Sequence, residues 1–163
     1  MPCIGTTRFN SGTWQENKQW RENNKHNGCI YGTPMRINEK VYIDDIVFIL
    51  EMNNDKNKIE GIGMIKNKVY ADKPYRIYKD GNYNRFIYKS EYRINRDQLT
   101  RYEEKILELL DILVFKGGRH LKRGQGITQL PKWISDNKHF DFIKFFKKMF
   151  KKMFNKKFGK KNI

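Results

Sequence analysis

Alanine, proline and cysteine are scarce in this chain of 163 residues. Ala71 is the single alanine, whereas the chain holds 24 lysines, 18 isoleucines and 16 asparagines. Codons for the three abundant residues are rich in A and T, and codons for alanine are rich in G and C. The composition is therefore typical of an AT-rich genome, such as that of a large DNA virus, and nucleotide bias explains part of the lysine excess.

The chain also lacks the features of secreted and membrane proteins. Two cysteines, Cys3 and Cys29, are too few for a disulfide framework, which predicts free thiols in a reducing compartment. The amino terminus has no apolar signal-peptide segment, and no apolar run approaches the roughly 18 residues of a spanning helix. We expect a soluble, intracellular protein of the cytoplasm or nucleus, or of a virus factory or virion if the chain is viral.

Positive charge is the dominant feature of the composition. The chain has 34 lysines and arginines against 18 acidic residues, a formal net charge of +16. A charge of this size favours a polyanionic partner such as nucleic acid. The length predicts one domain, residues 1–136, followed by a basic tail, residues 137–163.

Alternating apolar residues and turn signals predict an α+β domain with about five strands. Residues 1–28 read as loop, with one helical turn around Trp14 to Arg21. The predicted strands are Cys29–Tyr31, a hairpin over residues 43–66, a second hairpin over residues 75–88 around Asp80-Gly81, and a short edge strand at Tyr92–Ile94. Five strands are enough for a small curved barrel.

The next segment has the pattern of an amphipathic helix. Thr100 and Glu103 form a capping-box pair, and Gly117-Gly118 mark the end of the helix. Ile106, Leu109, Leu110 and Leu113 recur at helical spacing. These four residues predict a helix packed against the sheet. A short helix that starts at Pro131 and carries Trp133 is expected to follow.

The tail has the pattern of a basic amphipathic helix. Phenylalanines and methionines between Phe142 and Phe154 form an apolar stripe, with lysines largely opposite. Such a helix binds an anionic membrane, a partner groove or nucleic acid, or else covers the domain core. We favour core packing for residues 142–146 and electrostatic contacts for the lysines Lys147, Lys148, Lys151, Lys152, Lys156 and Lys157.

Two glycines at alternate positions, Gly61 and Gly63, lie in the second strand of the first hairpin. Alternate glycines in a strand indicate a bend or a close approach to the backbone, and here they leave room for a ligand. The order of motifs over residues 10–95 resembles the PUA-like barrels, especially their EVE and YTH branches. The matching residues are Thr13, Trp14, Asn23, Asp45, Val47, Phe48, Gly61, Ile62, Gly63, Tyr70 and Asp72. The chain departs from the EVE pattern at Asp44, which replaces a glycine, and in a longer spacing after Trp14.

The resemblance implies a Trp-containing pocket that receives a modified base, formed first by Trp14 and then by Asn23. Reading an unpaired base requires aromatic surfaces for stacking and amides for the base edge. The candidate aromatic residues are Trp14, Trp20 and Tyr31, and the candidate amides are Asn17, Asn23 and Asn24. Each also has an ordinary interpretation, as a core aromatic or as a turn asparagine.

The glycine-rich loop after the predicted helix carries Arg119, Lys122 and Arg123. Cations in a flexible loop are suited to phosphate contacts, which position nucleic acid without selecting its sequence. The alternative is a solvated surface loop between two helices.

Catalytic and metal motifs are missing. Asp44, Asp45, Glu51 and Glu60 are the only dense carboxylate group, and no Glu-x-Lys follows in the place that a two-metal nuclease requires. His26-x-x-Cys29 fits no compact zinc site. We therefore expect no cofactor, no metal and no enzymatic activity.

The sequence supports two interpretations. The first is a nucleic-acid-binding module that reads RNA, or a modified or unpaired base, through an aromatic pocket while basic residues contact phosphates. The second is a structural or scaffold protein, of a virion for example, whose basic aromatic tail binds a partner protein or an anionic membrane.

Overall fold

The computed structural model describes residues 1–155 and shows the expected mixture of helices and strands. Along these residues the elements are β1 (Cys3–Phe9), α1 (Ser11–Asn23), β2 (Cys29–Thr33), β3 (Ile46–Asn53), β4 (Lys58–Lys66), β5 (Phe86–Ser90), β6 (Arg93–Asn95), α2 (Arg101–Phe115), β7 (Thr128–Gln129), α3 (Lys132–Ser135) and α4 (Phe142–Met153).

Five strands form the central sheet, in the order β6-β4-β3-β1-β7. β1 runs parallel to β3, and the other neighbouring pairs are antiparallel. β2 and β5 pair separately as a two-stranded ribbon. The β3–β4 hairpin and the short edge strand β6 confirm the sequence predictions for residues 43–66 and 92–94.

The central sheet is covered on both faces, and alternate residues of β3 point to opposite layers. Phe48 and Leu50 pack with α2 and α4, whereas Val47 and Ile49 pack with α1 and the ribbon. This arrangement explains why residues 47–53 are all buried. The fold therefore has a helical layer on one side of the sheet and a mixed layer on the other.

The amino-terminal prediction was wrong. Residues 1–28, expected to be mostly loop, form the buried strand β1 and the 13-residue helix α1. α1 begins with a capping box, in which Asn10 Oδ1 accepts a hydrogen bond from the amide of Thr13 at 2.8 Å. β1 lacks a clear apolar alternation because it contains Gly5, Thr6 and Thr7, and its partner β3 lies about 40 residues away in sequence.

The second hairpin was also predicted wrongly. Asp80 accepts a hydrogen bond from the amide of Asn82 and starts a 3-10 turn over Gly81–Asn84. The side chain of Asn84 then accepts from the amides of Ile77 and Tyr78, so this segment satisfies its backbone without a strand partner. β5, which follows, pairs with β2 instead.

The helices α2 and α4 form one layer over the sheet. α2 starts at the predicted capping box, but its buried face is Leu107, Leu110 and Val114, and Leu109 is exposed. α4 buries its aromatic stripe in the same core, where Phe146 lies 5.8 Å from Phe48 between ring centroids. The strands in residues 1–155 thus make an open sheet and a ribbon, not a closed barrel.

Candidate nucleic-acid interface

The most enclosed of the polar clefts described below lies where β1 ends and α1 begins. It has a volume of about 460 Å³, within the roughly 300–1,000 Å³ range of small-molecule sites. The lining residues come from β1, α1, β2, the β3–β4 turn, the segment before β5 and the loop before β7. They are Thr7, Arg8, Phe9, Asn10, Thr13, Glu16, Gly32, Asn54, Tyr78, Asp80, Tyr83, Lys122, Arg123, Gly124, Gln125 and Gly126.

Arg8 connects β1 to the basic loop of this cleft. Its Nη1 donates to the carbonyl of Leu121 at 3.0 Å, and its Nη2 donates to the carbonyl of Gly126 at 3.0 Å. Gly124 lies so close that an added Cβ would stand 2.8 Å from the Arg8 guanidinium carbon. The arginine therefore holds the loop 121–126 against the sheet and fixes the position of the loop cations.

The three cations of the cleft have no carboxylate partner in the part of the chain that the structure describes. Among residues 1–155, neither Arg8 nor Lys122 nor Arg123 forms an ion pair. Burial lowers the pKa of the Arg8 guanidinium to about 10, which leaves it charged at neutral pH. Glu16 and Asp80 also line the cleft, so its wall is mixed in sign with an excess of positive charge.

Hydrogen-bonding capacity is left unused around the cleft. Asn54 donates from Nδ2 to the carbonyl of Lys122 at 2.9 Å, but its buried Oδ1 accepts no hydrogen bond within residues 1–155. Arg8 Nε and Asn53 Nδ2 are likewise buried without a partner in that part of the chain. Most buried polar atoms in proteins are paired with protein or ordered water, and two of these three atoms belong to residues that line the cleft, Arg8 and Asn54.

Aromatic side chains supply the apolar part of the wall. Tyr78 and Tyr83 meet edge to face, with ring centroids 6.4 Å apart. Tyr78 is 8% exposed and accepts a hydrogen bond from Asn17 Nδ2 at 3.0 Å, whereas Tyr83 is half-buried. Tyr83 therefore offers the more accessible ring for stacking against a planar ligand.

The space over Gly61 and Gly63, where the sequence indicated room for a ligand, is filled by the protein. The hydroxyl of Tyr31 and the thiol of Cys29 lie over Gly63, and the Arg93 guanidinium lies over Gly61. Tyr31 donates to Glu51 at 2.6 Å, and Glu51 pairs with Arg93 at 2.7 Å. The alternate glycines thus accommodate a buried polar network.

Trp14 and Asn17 face the interior of the protein. The Trp14 ring is 9% exposed, packs edge to face on Phe9, and is contacted by the guanidinium groups of Arg21 and Arg93. Asn17 donates from Nδ2 to the carbonyl of Ile30 at 2.7 Å. Both side chains join α1 to the sheets and lie outside the wall of the cleft. Trp14 instead borders a separate, more open groove with Lys18, Lys56 and Lys58.

Of the remaining predicted base-reading residues, Trp20 and Asn23 lie on α1, Asn24 follows it, and Tyr31 lies in β2. Trp20 and Asn23 line an open groove of about 500 Å³ beside the cleft. Asn23 accepts a hydrogen bond from Gln19 at 2.8 Å, and Asn24 donates to the carbonyl of Trp20 at 2.8 Å. Tyr31 is 1% exposed in the buried network.

The predicted phosphate-binding residues separate into three groups. Lys122 and Arg123 line the cleft, whereas the Arg119 guanidinium lies 5.4 Å from the ring centroid of Trp133. In α4, Lys148 and Lys151 are exposed, Lys147 is half-buried, and Lys152 pairs with Glu103 at 2.9 Å. Lys156 and Lys157 lie outside the described residues.

Sequence reasoning missed Arg8, Asn54, Tyr78 and Tyr83 as candidates. Only the fold brings them together with Lys122, because they come from four separate segments. One signal was visible in the sequence: Arg8 interrupts an otherwise uncharged stretch, residues 1–15, that ends in a helix start.

Residues 1–155 were compared with the patterns of metal-ligand groups and membrane-spanning helices. This part of the chain contains no group of three His, Cys, Asp or Glu side chains placed to hold a metal ion, and Cys3 and Cys29 are both free thiols. None of its helices combines the length and the apolarity that crossing a membrane requires. Comparison with protein-family models, curated proteins and solved structures found no match to this chain.

Proposed function

We propose that this chain is a non-enzymatic nucleic-acid-binding module that receives an unpaired or modified base, of RNA or DNA, in the cleft at the end of β1. Tyr83 provides the stacking surface, and Arg8, Lys122 and Arg123 provide positive charge for the adjoining phosphates. The side-chain amide of Asn54 supplies hydrogen bonds to polar edges of the nucleotide. Stacking on aromatic rings and positive charge along the backbone are the two kinds of contact that single-strand binding requires.

The observation that carries this proposal is the half-buried Arg8, which has no carboxylate partner among residues 1–155. Neutral protein oxygens accept from its Nη groups, so its charge is held in the wall without being neutralised and attracts an anion to the cleft. Arg8 also positions the loop that brings Lys122 and Arg123 to the same cleft. A net charge of +16 raises the local concentration of any polyanion.

A PUA-like relationship belongs to the same proposal, in an open form, since the strands of residues 1–155 do not close into a barrel. Its support is the order of motifs over residues 10–95 together with the ribbon, which covers one face of the central sheet. Tyr70 pairs with Ile87 through an isolated bridge on the edge of β5 that faces away from β2.

The scaffold interpretation finds less support in the described residues. It requires a free aromatic stripe on α4, but Phe142, Phe146 and Phe150 are each 0% exposed. Exposed lysines such as Lys148 and Lys151 remain for electrostatic contacts with a partner. We therefore place nucleic-acid binding first.

The test is fluorescence anisotropy with labelled RNA and DNA hexanucleotides, with and without methylated bases. Tyr83→Ala removes the stacking surface, and we expect it to weaken binding by about 1–3 kcal/mol. Arg123→Gln removes one cation, and we expect it to lower the salt slope by about 0.7. Matched controls are Tyr102→Ala and Lys105→Gln, which change exposed residues of α2 on the opposite side of the sheet.

The proposal fails if the wild-type protein binds none of the hexanucleotides. It also fails if Tyr83→Ala and Tyr102→Ala bind equally well, because the cleft would then contribute nothing specific. If Arg123→Gln and Lys105→Gln have equal salt slopes, binding would depend only on the overall positive charge of the protein and not on the cleft.

A further inference from the structure

A second basic and aromatic surface lies beyond α1, at the outer side of the ribbon. Three lysine ammonium groups lie against aromatic rings there. Lys89 Nζ is 5.0 Å from the Tyr70 centroid and 5.1 Å from that of Tyr75, and Lys68 Nζ is 5.6 Å from Tyr70. Lys73 Nζ is 5.4 Å from Tyr75 and 6.0 Å from Trp20. We call these six side chains the lysine–aromatic cluster.

The lysines of the cluster are held in place without being neutralised. Contacts with ring faces restrict the ammonium groups while leaving their N–H donors available. None of the three lysines forms an ion pair within residues 1–155. Asp72 is the carboxylate near them, and it accepts a hydrogen bond from the Tyr75 hydroxyl at 2.7 Å. The cluster therefore carries an excess of positive charge.

The open groove along α1 joins the cluster to the cleft. Glu16 and Tyr78 line both the cleft and the groove, and Trp20 belongs to both the groove and the cluster. The groove adds two further cations, Arg76 and Lys79. Its carboxylate, Glu16, is engaged by the backbone amide of Lys79 at 2.7 Å. Five cations and two carboxylates thus line a continuous surface that starts at the cleft.

We infer that this surface is a phosphate-binding track, which extends the site from one nucleotide in the cleft to a single strand of several nucleotides. The inference rests on the proposed function, because the cleft receives the base from which the strand continues. A single strand fits this path better than a duplex, since only unpaired bases stack on side chains such as Trp20 and Tyr70. The half-buried rings of Trp20 and Tyr70 beside the lysines provide stacking and charge together, as in sequence-independent single-strand binding.

The inference predicts that the track matters for long oligonucleotides and not for short ones. We would measure anisotropy with a trinucleotide and a dodecanucleotide of the same base, across a salt series. Lys73→Gln/Lys89→Gln removes two track cations, and Lys105→Gln/Lys138→Gln removes two exposed lysines of the helical side and its loops. Both variants have the same net charge, so long-range attraction is matched between them.

For the dodecanucleotide we expect the track variant to reduce the salt slope by about 1.4, because each lost phosphate contact on a single strand contributes about 0.7. The control should keep its slope, and the trinucleotide should bind both variants alike. Equal slopes for the two variants on the dodecanucleotide would overturn the track. The proposed function of the cleft would still hold in that case, provided that Tyr83→Ala weakens trinucleotide binding. If Tyr83→Ala has no effect on the trinucleotide, the proposed function itself fails.

Discussion

Glu51 and Arg93 form a buried ion pair, 2.7 Å between Oε1 and Nη2, directly over Gly61 of the central sheet. Both side chains are almost fully excluded from solvent. The Tyr31 hydroxyl donates to the same carboxylate at 2.6 Å, and Arg93 donates from both Nε and Nη2, so two residues satisfy the buried charge. Such a pair is strongly destabilising to break, because either charge alone would be buried without compensation. The glycines of β4 create the space that this network occupies.

The first prediction concerns the space over Gly63 that the buried network fills. Gly63→Ala places a methyl group against the Tyr31 hydroxyl and within 2.8 Å of the Cys29 sulfur, in a region without exposure to solvent. We expect overpacking to reduce the free energy of unfolding by about 1–3 kcal/mol, measured by urea denaturation. Gly118→Ala is the control, since nothing lies within 4 Å of its added Cβ, and it should change stability by less than about 0.5 kcal/mol. Equal effects would show that the network is not tightly packed.

The second prediction distinguishes a core tryptophan from a base-stacking one. Because the Trp14 ring is 9% exposed and packs on Phe9, Trp14→Ala should lower the free energy of unfolding by about 3–5 kcal/mol. Trp133 is 44% exposed, so Trp133→Ala should cost about 1 kcal/mol or less. A Trp14→Ala protein with wild-type stability and weakened oligonucleotide binding would instead assign Trp14 to the binding surface.

The third prediction concerns α4 as part of the core. Phe146 is 0% exposed and stacks against Phe48 of the central sheet. We expect Phe146→Ala to destabilise the fold by about 3–5 kcal/mol, measured by thermal and chemical unfolding. The nearby exposed Lys148→Ala should be close to neutral. A stable Phe146→Ala protein would mean that α4 is an appendage, which would favour the scaffold interpretation.

The fourth prediction is a pH dependence at Glu104. Two hydrogen bonds from Arg96, at 2.7 Å and 2.6 Å, hold the pKa of this carboxyl below its ordinary value of 4.5. Because the folded pKa is lower than the unfolded one, the stabilisation is present above about pH 4.5 and is lost as the pH falls through the folded pKa. Glu104→Gln should therefore be less stable than wild type at pH 7, with a difference that shrinks towards pH 3. Exposed Glu108→Gln is the control, and a pH-independent difference at Glu104 would contradict the assignment.

Local patterns explain which elements the sequence predicted correctly. The β3–β4 hairpin and the start of α2 depend on residues close together in the chain, such as the Thr100–Glu103 capping box. β1 depends on parallel pairing with a distant strand, which its composition of glycine and threonine does not reveal. The Asp80-Gly81 pair is compatible with both a hairpin and a 3-10 turn, and the side chain of Asn84 favours the turn.

The candidate site was predictable only in part, for a similar reason. The sequence marks Lys122 and Arg123 because glycines surround them within a few residues. Arg8 and Tyr83 join them only after the strands have paired, since about 40 residues or more separate each from the loop. Trp14 was predicted to form a base pocket from the EVE-like order of motifs, but a tryptophan near asparagines also occurs on an interior helix face.

The most direct test of the binding cleft is a titration of the ¹⁵N-labelled protein with an unlabelled single-stranded hexanucleotide, followed by amide chemical shifts. We predict that the largest shifts fall on residues 8–13, Asn54, Tyr83 and residues 122–126, which surround the cleft. Amides of α2 should remain close to their free positions. Shifts confined to α2 and α4, or an unchanged spectrum at saturating oligonucleotide, would contradict nucleic-acid binding at this cleft.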